Sequence, residues 1–211
     1  MRRREAIKVS IGSTVAAPWI WRSIFGIGAT VSLTGCDGKW EDIIKYCTVG
    51  LDSAKRVVDI LVASRIITTK DGTTVGAVLD KIQFGFNDVR VAVQQYIDAP
   101  ESQKATLADK ALVAMQALAD NILAFWNDLQ IPDPNLAATI SALLTLIVST
   151  LQGYVVWGAS KAERPLPRPR AARGIGPARA PVPAKERSVS EFRDEFNAIL
   201  EKRGYGKYTL K

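Results

Sequence analysis

Four stretches of helical apolar periodicity, each roughly 24 to 29 residues long, constrain the fold of this 211-residue chain more than any other feature. In the first stretch, apolar side chains recur at alternating intervals of three and four residues, which places them on one face of a helix. These residues are Ile44, Cys47, Leu51, Ala54, Val58 and Leu61. The pattern predicts a first helix over residues 39–67, and the turn at residues 70–73 is expected to end it.

The second stretch has the same spacing. It is expected to begin after Thr73 or Thr74 as a cap and to stop at residues 98–100. Its apolar residues are Val75, Val78, Leu79, Ile82, Phe86, Val89, Val93, Tyr96 and Ile97. Gly76 and Gly85 lie inside it, and each is expected to weaken the helix by about 1 kcal/mol.

The third and fourth helices have clear starting signals. The third is predicted to begin at the boundary between Pro100 and Glu101, and its apolar face is Leu107, Ala111, Ala114, Leu118, Ile122, Phe125 and Leu129. Asp133 followed by Pro134 is typical of a cap and a proline at the first helical position. A fourth helix is therefore expected to run from there to residues 157–159.

The fourth helix permits two interpretations. Residues 135–160 contain no charged side chain, and a stretch of that length is enough to cross a bilayer. Basic residues follow it, as the positive-inside rule requires of a cytoplasmic end: Lys161, Arg164, Arg168, Arg170 and Arg173. Serine, threonine and glutamine dilute the apolar run, however, and three neighbouring helices need an apolar surface to pack against. We favour the buried helix of a bundle, and bilayer insertion is the alternative.

Long amphipathic helices joined by short turns must fold back on one another. Residues 36–160 are therefore predicted to form an all-α domain, an up-down four-helix bundle. The composition, 47% hydrophobic and 23% charged, is that of a globular protein. The sequence shows neither strand-like alternation nor a glycine-rich phosphate loop.

The C-terminal quarter of the chain has a different composition. Repeated proline, alanine and arginine without an apolar period predict a disordered linker over residues 161–187. Residues 188–211 follow as a short amphipathic helix and a tail. Ser188 and Glu191 form a capping box, and Gly204 can end the helix. Its apolar residues fall at i, i+4, i+7 and i+8, and they are Phe192, Phe196, Ile199 and Leu200.

A helix this short is marginal alone in water and must take its stability from a surface. Three surfaces are open to it, namely its own bundle, another protein or anionic lipid. We predict that the four apolar residues are the contact face of a docking helix, which makes a protein partner possible.

The N-terminus contains two short motifs in order. Residues 3–8 (RREAIK) consist of two arginines, any residue, two apolar residues and a lysine. They resemble the twin-arginine translocation motif, with Ala6 where that family usually has phenylalanine. Residues 33–36 (LTGC) resemble the lipobox of bacterial lipoproteins.

This resemblance implies an export signal over residues 1–35, with Arg3 and Arg4 as its export motif. Cys36 would be linked to diacylglycerol, so that an acyl chain anchors the protein in membrane lipid. The expected location is the bacterial cell envelope, facing the periplasm or the exterior. An uncleaved N-terminal membrane helix is the alternative. Cys47 is then the second thiol of the chain and is expected to be a small buried hydrophobe.

The tally of residue types excludes most familiar active sites. The chain has no histidine and only two cysteines, which removes histidine-based acid/base catalysis, catalytic triads and Cys/His zinc sites. The acidic residues of the bundle mostly lie off the apolar stripes, and they are Asp52, Asp59, Asp80, Asp88, Asp109, Asp120 and Asp128. We predict no catalytic residue, metal site or cofactor, and hence no enzyme.

The distribution of charge along the chain indicates which classes of partner it could bind. The net charge is +4 over residues 1–35, −4 over residues 36–160 and +7 over residues 161–211. The basic tail has no interleaved aromatics, so nucleic-acid binding is not expected. The predicted function is a non-enzymatic, membrane-anchored helical scaffold or adaptor. The alternative is a membrane-active or transport-associated protein whose helix 135–160 inserts in the bilayer.

Overall fold

The structure, a computed structural model, describes residues 37–67, 72–161 and 182–211. These residues form helices and no strand, so the predicted all-α class is confirmed for this part of the chain. The elements are α1 (Asp37–Ala63), α2 (Gly72–Ile97), α3 (Glu101–Asp128), α4 (Pro134–Lys161), α5 (Val189–Lys202) and the 3₁₀ turn η1 (Gly206–Tyr208).

The caps at the start of α3 and α4 follow the sequence signals. Pro100 immediately precedes α3 in an extended conformation, because its ring disfavours a continuous helix from α2. At α4, the Asp133 carboxylate accepts hydrogen bonds from the backbone N–H groups of Asn135 and Leu136, at 2.8 and 3.1 Å. These bonds satisfy donors that have no partner within the helix.

Helix α1 ends at Ala63, four residues before the predicted end. Arg65 adopts the left-handed conformation (φ 55°), which brings the Ile66 N–H to the Leu61 carbonyl and its own N–H to the Val62 carbonyl. This pair of bonds is the Schellman arrangement that closes helix C-termini. The prediction failed because this position usually carries glycine, and the chain has arginine there.

Consecutive helices approach closely at glycines. A Cβ atom on Gly85 would lie 2.8 Å from Leu118 Cδ1, and one on Gly158 would lie 2.4 Å from Leu112 Cδ2. Gly85 was expected only to weaken α2, but it allows α2 to pack tightly against α3. Gly158 does the same for α4 and α3.

The buried face of α1 is wider than its predicted stripe. Tyr46, Ser53 and Ile60 are fully buried, whereas Ile44 and Leu51 from the predicted stripe are only half-buried. The reason is that α1 packs against three elements, α2, α4 and α5, and not against one neighbour.

Helix α4 is the most buried element. It is the one helix in the described ranges long and apolar enough to cross a membrane, and 67% of its most apolar window is buried in the fold. Its neighbours α3, α1 and α5 all contact it.

The Arg65 conformation leads to a stability prediction. Arg65→Gly is expected to stabilise the protein by about 0.5–1 kcal/mol, because the left-handed penalty of a non-glycine residue exceeds the extra chain entropy of glycine. Denaturant unfolding measures the change. Ser64→Gly is the matched control, since Ser64 does not have a positive φ, and it should give no gain. An equal gain in both variants would contradict the explanation.

Candidate functional site: the groove that holds the C-terminal helix

A groove between α1 and α4 has an aromatic floor. Tyr46 of α1 and Tyr154 of α4 lie side by side, with 5.6 Å between their ring centroids. The Tyr46 hydroxyl donates to the Ile147 carbonyl at 2.8 Å, which ties α1 to α4. The two helices contact each other less than consecutive helices do, and α5 contacts both.

Residues 182–188, called the strap below, have no regular secondary structure and lie against α4. The Lys185 N–H donates to the Ser149 carbonyl at 3.0 Å. A Cβ atom on Gly153 would lie 2.5 Å from the Lys185 carbonyl carbon, so only glycine permits this backbone approach. This part of the predicted disordered linker is therefore packed, because its contacts are made by backbone and need no apolar period. The rest of the linker, residues 162–181, lies outside the described residues.

Arg187 holds the strap through four partners. Its side chain, only 9% exposed, donates to the Ser149 and Thr150 hydroxyls at 2.7 and 3.2 Å. Its Nε donates to a Glu195 carboxylate oxygen at 2.9 Å, and its own carbonyl accepts from the Tyr154 hydroxyl at 2.9 Å. The buried charge is thus paired and hydrogen-bonded, as burial of a charge requires.

Helix α5 begins with a complete capping box. The Ser188 hydroxyl accepts from the Glu191 N–H, and the Glu191 carboxylate accepts from the Ser188 N–H at 2.7 Å. The Ser188 N–H and hydroxyl both donate to the Glu191 carboxylate, and these bonds hold the pKa of Glu191 below its usual value. Backbone N–H groups at the start of α5 therefore have hydrogen-bond partners within the capping box.

The structure places the predicted contact face on the bundle of the same chain. Phe192, Phe196 and Leu200 are each 0% exposed, and Ile199 is half-buried against the same core. The Phe192 ring meets the Tyr46 ring edge to face, with 5.0 Å between centroids. This is one of the three surfaces that the sequence left open.

The chain end folds back onto α5. The Asn197 amide donates to the Leu210 carbonyl at 3.0 Å and accepts from its N–H at 2.7 Å. Gly204 (φ 80°) makes the turn that returns the chain, and Leu210 is buried. The predicted tail is thus part of the packed unit.

Two opposing effects act on Glu195 at the mouth of the groove. Partial burial acts to raise its pKa, but hydrogen bonds from Lys185 (2.9 Å) and Arg187 outweigh burial, and its pKa lies below the usual value. Glu195 therefore remains ionised at neutral pH and pairs with both cations of the strap.

Three buried titratable groups, Tyr46, Cys47 and Tyr154, are uncharged at neutral pH. Burial raises the pKa of the Cys47 thiol to about 12 and the pKa values of Tyr46 and Tyr154 above their usual range. A protonated, buried thiol is not a nucleophile, so Cys47 packs as the small hydrophobe that was predicted.

The remaining predicted residues fall into two groups. Arg3, Arg4 and Cys36 lie outside the described residues. Most of the bundle carboxylates are exposed as expected, although Asp109 and Asp120 are half-buried. Across the described ranges, no group of three Cys, Asp or Glu residues is placed to hold a metal ion.

The sequence analysis missed five residues that build the groove. Tyr46, Gly153, Tyr154, Arg187 and Glu195 contribute its floor, its close approach and its charge pairs. Only Gly153 carried a signal, since glycine inside an apolar helix often marks a close backbone contact.

No protein-family model, curated protein or solved structure matches this chain. The role of the groove is therefore argued from its own residues.

A glycine-to-alanine change inside a helix usually stabilises the protein, but at Gly153 it is expected to destabilise the packing of the strap. Gly153→Ala should release the strap and α5, because the new Cβ meets backbone that cannot move aside. Gly38→Ala is the matched control, since nothing lies within 4 Å of its Cβ position in α1. The control should be neutral or stabilising by up to about 1 kcal/mol. Hydrogen exchange of the α5 amides should rise at least tenfold in the first variant only, and equal exchange would contradict the packing.

The Glu195 pairing predicts a dependence on pH. Because its folded-state pKa is lowered, its contribution is present above the unfolded pKa of about 4.3 and is lost as the pH falls through the folded pKa. Glu195→Gln should therefore reduce the fall in melting temperature between pH 6 and pH 2. Asp194→Asn, a change to an exposed carboxylate one residue away, should leave that slope as in the parent. Identical slopes in all three proteins would refute the pairing.

Proposed function

We propose that this chain is a membrane-anchored envelope lipoprotein, a non-enzymatic helical scaffold whose C-terminal helix is a docking element. The observation that carries the proposal is the burial of Phe192, Phe196 and Leu200 in a groove that α1 and α4 leave between them. The groove is built from packing residues and charge pairs, and the buried Tyr46 and Tyr154 hydroxyls and the buried Cys47 thiol are uncharged.

The position of α1 fits an acyl anchor at Cys36. Helix α1 begins at Asp37, the next residue, so a lipid on Cys36 would hold the domain at the membrane with almost no spacer. Trp40, Tyr96 and Trp157 cluster at this end, with ring centroids 4.4 and 5.4 Å from Trp40. Helix α1 is 27 residues long, so its other end would stand about 40 Å away.

An up-down four-helix arrangement of α1 to α4 is the architecture that we infer for the scaffold. Each helix packs mainly against the next in sequence, and short connections join α2 to α3 and α3 to α4. Such connections favour antiparallel neighbours. In this arrangement α5 is a fifth helix that closes the side between α1 and α4.

The coverage of α4 favours the scaffold over the membrane-inserted alternative. Leu112 of α3, the Lys185 backbone and α5 together cover much of the α4 surface. Insertion would require α4 to leave these contacts. The alternative keeps one observation in its favour, the length and apolar character of α4.

The anchor is tested by comparing the two cysteines. Cys36→Ser should give unprocessed or soluble protein without an acyl chain, while Cys47→Ala should remain membrane-bound until detergent is added. Intact mass should show that the bound forms begin at Cys36 and carry the mass of a diacylglycerol. The pair is matched because each variant removes one thiol.

Other outcomes would identify what holds the protein instead. A Cys47→Ala protein that is extracted from membranes, still contains residues 1–35 and carries no diacylglycerol would mean an uncleaved N-terminal membrane helix. A Cys36→Ser protein that lacks residues 1–35 and still resists alkaline extraction would mean that α4 is inserted. Either result would overturn the lipoprotein proposal.

A further inference from the structure

We infer that the groove between α1 and α4 also receives the strap and α5 of a second copy of this chain, so that two copies form a dimer by reciprocal exchange. The inference rests on the docking role proposed for α5 and is independent of the lipid anchor. The partner is a second copy because the connection between α4 and the strap is long enough to reach a neighbouring groove, which presents the same contacts.

The covalent connection is much longer than docking on the same chain requires. Along α4, Lys161 lies eight residues beyond Gly153, where the strap docks, which is an axial distance of about 12 Å. The intervening residues 162–181 can extend to about 70 Å. A handful of residues would complete the path within one chain, and the excess is enough to reach a neighbouring groove.

The contacts would be the same in either arrangement. The Lys185 bond to Ser149, the Arg187 bonds to α4 and the Phe192 contact with Tyr46 all join segments on opposite sides of this connection. Exchange therefore creates no new strain and loses no contact. What separates the two forms is the effective concentration of the tethered helix, which is in the millimolar range for linkers of this kind.

Helix α5 and the groove are each unfavourable without the other. Helix α5 has 14 residues, which is marginal for an isolated helix, and an empty groove would expose the Tyr46 and Tyr154 rings. Reciprocal exchange fills both grooves and closes the assembly at two copies, as a twofold interface does. High local density, as on a membrane surface, favours it.

The charge of α5 argues against anionic lipid as the alternative occupant. The helix carries four acids and two bases: Glu191, Asp194, Glu195 and Glu201 against Arg193 and Lys202. Helices that lie on anionic lipid have cationic polar faces. The groove also makes specific contacts with the strap, namely the close backbone approach at Gly153 and the hydrogen bond from Arg187 to Ser149. A membrane surface cannot provide these contacts.

Complementary variants of the full chain test the exchange, with Cys36→Ser in every protein so that no acyl chain brings copies together. The acceptor carries Phe192→Asp and Phe196→Asp, which leaves its groove empty and its own α5 unable to dock. The donor carries Gly153→Val, which blocks its own groove and leaves its strap and α5 intact. Both are kept in the same detergent, and circular dichroism must show that each is folded. Gly153→Ala replaces the donor if Gly153→Val does not fold.

Light scattering should give one chain mass for each variant alone and twice that mass for the mixture. A tagged acceptor should retain at least ten times more donor than does an Ala198→Asp control. The control carries its charge on the exposed side of α5, so its groove remains filled. A mixture that stays monomeric, capture equal to the control, or a dimer of either variant alone would overturn the inference. The first two would leave α5 docking only on its own bundle.

Discussion

The burial of α4 is the constraint on which the rest of the structure depends. A helix without a charged side chain from residue 135 to 160 cannot leave any broad face in water without a large loss of hydrophobic free energy. Helix α3 covers one side at Gly158, and α1 covers another through the Tyr46 hydroxyl bond to Ile147. Those helices leave a third side uncovered. The strap and α5 cover it, and residues 182–211 are therefore packed against the core of the fold.

The polar side chains of Ser149 and Thr150 in α4 hydrogen-bond to the strap. The Thr150 hydroxyl donates to the Leu146 carbonyl at 2.9 Å and accepts from Arg187, and Ser149 likewise joins its own helix to the strap. Each hydroxyl therefore satisfies a backbone carbonyl and the guanidinium that crosses it. Such residues dilute a transmembrane stretch, but here they orient the Arg187 guanidinium.

Local chemistry was predictable from the sequence, and the assembly of distant segments was not. The Asp133 cap and the start of α3 after Pro100 depend on neighbouring residues, and they lie where the sequence indicates. The predicted buried face of α1 was too narrow. An apolar stripe along a helix indicates one packing partner, whereas α1 packs against three elements. The strap was missed because its contacts are made by its backbone at Gly153 and by the charged side chains of Lys185 and Arg187, which leave no periodic trace. The predicted apolar residues of α5 are buried, but only the structure gives the groove that receives them.

The position of the strap decides how two exchanged copies would stand on a membrane. Glu186 pairs with Lys39 in the first turns of α1, so the strap enters the groove at the end that follows Cys36. Helix α4 also ends here, with Lys161 beyond Trp157, whose ring packs on Trp40. Lys161 and the strap, which the connection joins, therefore both lie at the end of the domain where α1 begins. Two copies held by their lipids in one leaflet would have these ends side by side, so the crossing segments need only bridge adjacent chains, and both grooves can be filled without tilting either domain away from the membrane.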